Sequence, residues 1–398
     1  MNLISFLKKI QLILNAQSKS LFLLNVENSK KYLYDFKEPQ NNIERSYFQY
    51  LCQRYCRNKV LNFIVNVISL PIFYYNLCKY TKNIIKESGK DSDAVFIPEG
   101  KDITVIPKSL LKMIYKLVNE EKEEYILLQS DKDFINRIKQ KYSFDYEFLL
   151  KILIKIARYR AILIKYPKIK FIIVCAEYSY TSSILTEWCH LNQLRHINVM
   201  HGEKLFNIRD SFFNFDKCYV WDNYYKGLFI KLRADDKQFV VEIPPALNFI
   251  HKKKIEKQYK FTYYLQGFES KKELKNILDC LLILTKGMNC ASIRPHPRYS
   301  NMQIIKDVFG SKINIEDNSE INIEDSILRT ENVISLYSTV LNQAFYNNSN
   351  VIIDDVSNNE RFEKLKSLEY KFILHNYFRK LSDILCDGLN KENVEKVF

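Results

Sequence analysis

The chain has 398 residues, 47% of them hydrophobic and 14% aromatic, enough for two domains with their own cores and too apolar for a disordered chain. Lys and Arg number 60 against 46 Asp and Glu, a net charge of +14. No helix-turn-helix, RRM, KH or zinc-finger signature accompanies that charge, which sets nucleic acid aside as a partner.

The positive charge is concentrated early: residues 1–90 carry 14 Lys and Arg against 5 Asp and Glu. A basic, aromatic-rich segment is drawn to anionic lipid head groups at about 1 kcal/mol per favourably placed cation. Met1-Asn2-Leu3-Ile4-Ser5-Phe6-Leu7 precedes Lys8 and Lys9, and no small-residue cleavage site follows, so no signal peptide is expected. Val60 to Cys78 is apolar but is interrupted by Asn62, Asn66, Ser69, Pro71 and Asn76, whereas a spanning helix wants about 20 cleaner residues. Nine cysteines lie without CxxC pairs, which suits reduced, mostly buried thiols in a cytoplasm. The expectation for 1–90 is a helical, basic region lying peripherally on an anionic membrane surface, the inner face of the cell membrane.

Residues 91–250 alternate apolar runs with amphipathic segments. Ala94 to Pro98 and Tyr125 to Gln129 read as strands, and Asp131 to Tyr142 and Tyr146 to Leu163 as helices. Lys170 to Glu177 is the best strand of this half, followed by a helix from Thr181 to Leu194. His196 to Met200, Cys218 to Trp221 and Phe239 to Ile243 complete the strands. Strands separated by helices imply βαβ units and a parallel sheet. Ligands bind in the crevice beyond the carboxyl ends of such strands. At that position stands Met200-His201-Gly202-Glu203-Lys204. His201 titrates near neutrality and can accept a hydroxyl proton, and Glu203 is a second catalytic candidate. Glu177 could orient that imidazole or, with Gly202, contact an acceptor. A hydrogen-bonded turn also explains His201. Arg209 and Asp210 receive no role, and His190 and His196 read as ordinary helix-end and strand-start residues.

Pro244-Pro245 and His251-Lys252-Lys253-Lys254 mark a linker. The second half, 251–398, opens with a strand from Phe261 to Gly267, a helix from Lys271 to Thr285 and a strand ending at Ile293. Directly behind it comes Arg294-Pro295-His296-Pro297-Arg298. The prolines fix φ and push their predecessors towards extended geometry, holding the imidazole on a stiff turn. One His between two Arg suits a phosphate or pyrophosphate; a basic surface turn is the alternative. Glu331 to Phe345 runs from a strand through hydroxyls into a helix that Ser338 or Thr339 can cap, making an anion site. A plain cap explains Ser338 equally. Gly267 stands in the first loop of this half, as a phosphate loop or a strand-ending turn. Asp354 and Asp355 read as surface carboxylates at a strand end. Cations and a helix dipole need no metal beside them, and no cofactor is expected.

Two Rossmann-like halves facing across a cleft, with a helical N-terminal extension, form the GT-B arrangement of glycosyltransferases. Residues 259–356 resemble the bacterial GT-B sialyltransferases that modify lipooligosaccharide and capsule, through His296-Pro297 behind a strand and the segment Ser335 to Thr339. The resemblance implies that His296 contacts the phosphate of a CMP-sugar donor and that Ser338 and Thr339 bind the same group. That family carries an acidic pair before a glycine in its first domain, with one carboxylate as the base; here Met200-His201-Gly202 keeps the glycine and lacks the pair. A His-Gly pair at this place resembles the CDP-glycerol glycerophosphotransferases of wall polymer synthesis. The expected reaction is metal-independent, inverting transfer of a nonulosonic acid from a CMP-sugar to a glycan or glycolipid acceptor. His201 would be the base, and His296, Arg294 and Arg298 would steady the departing CMP beside Pro297, Ser335, Ser338 and Thr339. The alternatives are a CDP-glycerol-type transferase, a UDP-sugar glycosyltransferase, an epimerase of the same fold, and a membrane-associated scaffold for polysaccharide assembly.

Overall fold

The computed structural model describes residues 22, 24–87, 89, 91–249, 255–375 and 378–386. The basic run His251 to Lys254 and the first 21 residues lie outside the described residues. The chain divides into two units: the described residues up to His201 together with Phe206–Pro244, and Gly202–Leu205 together with the described residues from Pro245 onward. The N-terminal helices group with the first sheet and form no unit of their own.

The first unit opens with α1 (Val26–Tyr34), α2 (Asn42–Tyr55) and α3 (Lys59–Thr81). Each starts on an asparagine (Asn25, Asn41 and Asn58) whose side chain accepts a first-turn backbone N–H, satisfying an otherwise orphaned donor. The sheet follows: β1 (Ala94–Phe96), β2 (Leu117–Asn119), β3 (Phe171–Val174), β4 (Arg195–Val199), β5 (Lys217–Val220) and β6 (Phe239–Val241). Its order is β2-β1-β3-β4-β5-β6 and every pairing is parallel. The strands read as continuous apolar runs because helices cover the sheet. One face packs Phe96, Ile173, Ile197 and Val199 against Ile106 and Leu110.

The strand expected at 125–129 is absent. Its backbone is extended but donates to helix carbonyls, Ile126 N–H to Ala157 O at 3.2 Å and Leu127 N–H to Tyr80 O at 3.1 Å. The edge strand is Leu117–Asn119 instead, and three residues give no readable period. The helices α4 (Lys108–Lys112), α5 (Gln129–Lys141), α6 (Tyr146–Lys165), α7 (Ser182–Leu191) and α8 (Asn223–Lys231) complete the unit.

His196 on β4 is fully buried, its Nε2 at 2.9 Å from the Tyr159 hydroxyl and its Nδ1 at 2.9 Å from the Thr186 hydroxyl. Two hydroxyls can serve a neutral ring in either tautomer.

The second unit holds β7 (Tyr259–Tyr264), α9 (Lys271–Thr285), β8 (Ala291–Arg294), α10 (Met302–Phe309), β9 (Asn314–Ile315) and α11 (Ile323–Leu328). Then come β10 (Thr330–Ser335), α12 (Thr339–Tyr346), β11 (Asn350–Ile353), α13 (Asn359–Ser367), α14 (Lys371–Leu374) and β12 (Arg379–Lys380). The order β12-β11-β10-β7-β8-β9 is again wholly parallel. Its apolar core joins Tyr263, Ile277, Leu281, Ile293, Phe309 and Ile352. Inside the sheet runs a buried hydroxyl ladder: Thr262 bonds Ser292 at 2.8 Å and Thr330 at 2.6 Å. The α/β class expected from the sequence is what both units show.

Burial holds the His196 pKa down at about 3, whereas an unfolded histidine titrates near 6.5. Between those values the unfolded chain binds one proton more than the folded one. The stabilisation is therefore fully present above the unfolded value and falls on acidification by up to about 1.4 kcal/mol per pH unit. Urea unfolding followed across this range is expected to show a shallower pH slope in His196→Gln than in the wild type. Equal slopes would contradict the assignment.

Candidate functional site

In each sheet the winding reverses at one strand. In the first unit β2 lies on one side of β1 and β3 to β6 on the other, and in the second β8 and β9 lie on one side of β7 and β10 to β12 on the other. The loops at these switch points run apart and open a crevice at the carboxyl ends of the strands.

Glu177 follows β3 and His201 follows β4, and β3 and β4 are hydrogen-bonded neighbours. Glu177 is 0% exposed, and its Oε1 lies 3.8 Å from the His201 Nδ1. Its Oε2 accepts from the Asn198 amide at 3.2 Å, and the Asn198 carbonyl oxygen accepts from the Ala176 N–H at 2.7 Å. The Gln49 amide of α2 donates to the Glu177 carbonyl at 3.0 Å. A buried carboxylate thus backs an imidazole that keeps 18% of its side chain exposed. A carboxylate behind an imidazole is an arrangement able to serve acid–base chemistry. Gly202 follows at φ +66, the left-handed region that turns the chain directly behind His201.

A second cluster at the same switch point went unread in the sequence. Glu99, directly behind β1, accepts from Lys155 at 3.1 Å and from the Tyr178 hydroxyl at 3.0 Å, with Arg158 at 3.9 Å. Burial opposes its ionisation, but Lys155, Tyr178 and Arg158 outweigh it and hold the carboxyl below its ordinary range. The signal was available: a carboxylate one residue beyond a strand's apolar run, and Lys155 and Arg158 three apart on a helix.

In the second unit the proline-braced turn is built as expected. The His296 N–H donates to the Ser300 hydroxyl at 2.8 Å, and the His296 Nδ1 accepts the Arg298 N–H at 3.1 Å. An Nδ1 that accepts a backbone N–H carries no proton, so the neutral ring bears its proton on Nε2 as a donor. Burial depresses the His296 pKa, opposed by Glu269 and assisted by Arg298. The imidazole stacks on Tyr299 at 4.7 Å, and Tyr299 stacks on Phe268 at 5.0 Å. Pro297 and Arg298 are exposed.

Several expected phosphate contacts are occupied by the protein itself. Arg294 is 6% exposed; it donates to Glu316 at 2.9 Å and to the Ile321 carbonyl at 2.8 Å. Glu316 also takes the Ser326 hydroxyl at 2.6 Å, so Arg294 is part of a buried polar network. Ser335 is fully buried and donates to the Tyr264 carbonyl at 2.9 Å. The Gly267 N–H donates to Glu269 at 2.9 Å, as does the Gln266 N–H at 2.5 Å, so a carboxylate of the chain fills the loop read as a phosphate loop. Ser338 is the N-cap of α12, its hydroxyl accepting from Val340 N–H at 3.2 Å. Thr339 accepts the Glu203 N–H at 3.3 Å, and the Asn342 amide donates to the Glu203 carboxylate. Glu203, read as catalytic, sits on the first turn of α12, where the helix dipole favours an anion. Asp354 is not a surface group: it is 0% exposed and accepts from Tyr263, Ser357 and the Val356 N–H. Among the described residues no group of three or more His, Cys, Asp and Glu is placed to hold a metal ion.

No family model matches the chain, and no curated protein matches it in sequence. Among solved structures the chain is similar to one assigned as a UDP-N-acetylglucosamine 2-epimerase from Listeria monocytogenes, at 9% identity over 77% of this chain and 89% of that one, with a TM-score of 0.45. It is similar to the wall teichoic acid polymerase TagF, at 13% identity over 85% and 90%, TM-score 0.43. A UDP-GlcNAc 2-epimerase from Neisseria meningitidis, bound to UDP-GlcNAc, matches at 11% identity over 76% and 91%, TM-score 0.41. At these values the likeness carries no residue roles and no substrate. The two parallel sheets, read from this chain's own hydrogen bonds, carry the fold.

A methyl group at Gly267, whose φ is +89, would lie 2.5 Å from the Tyr299 Cβ and 2.7 Å from its carbonyl carbon. Gly267→Ala is expected to destabilise the protein by about 2 kcal/mol or more, measured by urea unfolding; wild-type stability would mean the loop does not approach the His296 turn. Nitrogen NMR of His296 is expected to show the Nε2–H tautomer and titration below the ordinary 6.5. A protonated Nδ1 in the neutral ring would contradict the turn geometry.

Proposed function

We propose that the protein is a glycosyltransferase that moves a group from a nucleotide-activated donor to a hydroxyl of a bacterial surface glycan. The observation that carries this reading is the buried Glu177 carboxylate behind a part-exposed His201, at adjacent strand ends of a parallel sheet. In the reaction His201 takes the proton of the acceptor hydroxyl as its oxygen attacks the anomeric carbon. The bond from that carbon to the phosphate oxygen breaks, and the nucleotide leaves with the electron pair. Glu177 holds the imidazole and favours its cationic form as the proton arrives. In the second unit the His296 Nε2–H and the Arg298 guanidinium steady charge on the departing phosphate.

The donor in this proposal is a CMP-activated nonulosonic acid, on the strength of His296-Pro297 behind β8. A CDP-glycerol donor is the second reading. It is favoured by one feature, the histidine of Met200-His201-Gly202 where the first resemblance calls for an acidic pair. The same base and the same phosphate contacts would serve it, with attack on phosphorus in place of carbon.

Transfer assays with purified protein separate these readings. CMP release from a CMP-sugar supports the first, and consumption of CDP-glycerol with release of CMP supports the second. His201→Ala and His296→Ala are each expected to lower turnover about 100-fold with fold and melting temperature retained. Wild-type turnover in either variant would remove that residue from the reaction.

A further inference from the structure

α3 exposes a long apolar face. Asn62, Ser69 and Asn76 are buried beside Val65, Ile72, Phe73 and Tyr80, while Val60, Phe63, Ile64, Val67, Tyr74 and Tyr75 face outward, Phe63 at 68% and Val67 at 53% exposure. Their spacing of three and four residues puts them on one stripe along a helix about 34 Å long. Of the most apolar 18-residue window, 22% is buried. Exposed apolar stripes of this extent mark an interaction surface on a folded protein.

We propose that this face of α3 docks onto an anionic phospholipid bilayer and lies in the plane of its head groups. Charge selects that occupant over a second copy of the chain. The helix carries no Asp or Glu, and exposed lysines stand at both ends, Lys59 at one and Lys79 and Lys82 at the other. A second copy would bring the same lysines against themselves, whereas acidic lipid head groups complement them. The opposite side of the helix fixes the in-plane orientation. There the Asn62 amide donates to the Arg54 carbonyl at 3.0 Å, and Asn66 joins the Phe144 carbonyl at 2.5 Å and the Glu147 N–H at 3.1 Å. Spanning the bilayer would strip those groups into hydrocarbon, where each lost hydrogen bond is costly. Lying in the interface leaves them intact. Phe144, 87% exposed, extends the apolar surface beside Asn66. The inference is independent of the transferase reading.

The test is flotation of the full-length protein with vesicles of phosphatidylcholine alone or enriched in phosphatidylglycerol. The protein is expected to float with the anionic vesicles, weakly with the neutral ones, and less as salt rises. Phe63→Glu with Val67→Glu is expected to abolish flotation while the circular dichroism spectrum and catalytic turnover stay unchanged. Lys79→Glu and Lys82→Glu are each expected to weaken binding to anionic vesicles by roughly fivefold. Hydrogen exchange on the wild-type protein gives the same answer without any variant: residues 59–81 gain protection when anionic vesicles are added. Absence of flotation with both vesicle types, or equal flotation with both that the Phe63 and Val67 changes leave intact, would overturn the proposal. So would light scattering that shows a dimer split by those same changes.

Discussion

A carboxylate buried at the end of one strand faces an imidazole at the end of the next. Parallel neighbours run about 4.8 Å apart, so residues just beyond β3 and β4 meet without a long loop to bring them together. Glu177 has no solvent to stabilise its charge and takes its partners from Asn198 and His201. A buried charge held in that way resists rearrangement. The rest of the first unit supports that pair: α2 reaches the Glu177 carbonyl through Gln49, and the apolar sheet excludes water beneath.

The second unit leaves fewer groups open to an anion than its sequence suggests. One of its natural anion positions is filled by the chain: Glu269 occupies the backbone N–H groups of the loop after β7. The Glu203 carboxylate takes the Asn342 side-chain amide on α12. The cationic and donor character that remains exposed is that of His296 and Arg298. The stacked rings of Phe268, Tyr299 and His296 and the missing side chain of Gly267 make that turn stiff. Stiffness matters because a preorganised donor needs no rearrangement as charge develops.

Much of this was legible in the sequence. Strands such as 171–174 and 291–294 announce themselves because a sheet covered on both faces must be apolar throughout, and the helix at 271–285 by its capping box from Ser270 to Glu273. His201, Glu177 and His296 could be singled out because ligands bind beyond the strand ends of a parallel sheet. Asp354 was read as a surface group, and the partners of Arg294, Ser335 and Glu203 stayed hidden, for one shared reason. A polar residue at a strand end looks the same in sequence whether it faces solvent or a buried partner, and Glu316, the Tyr264 carbonyl, Asn342 and Tyr263 are all distant along the chain. The same limit hid the nature of α3. Its asparagines and serine counted against a spanning helix; in the structure Asn62, Ser69 and Asn76 are buried while Phe63, Ile64 and Val67 are exposed.

Nucleotide-binding calorimetry tests most directly the roles proposed for His201 and His296. CMP and CDP titrated into the wild type, His201→Ala and His296→Ala should bind the first two within about twofold of each other and the third at least roughly tenfold more weakly. Equal loss of nucleotide affinity in His201→Ala, or undiminished affinity in His296→Ala, would contradict the account.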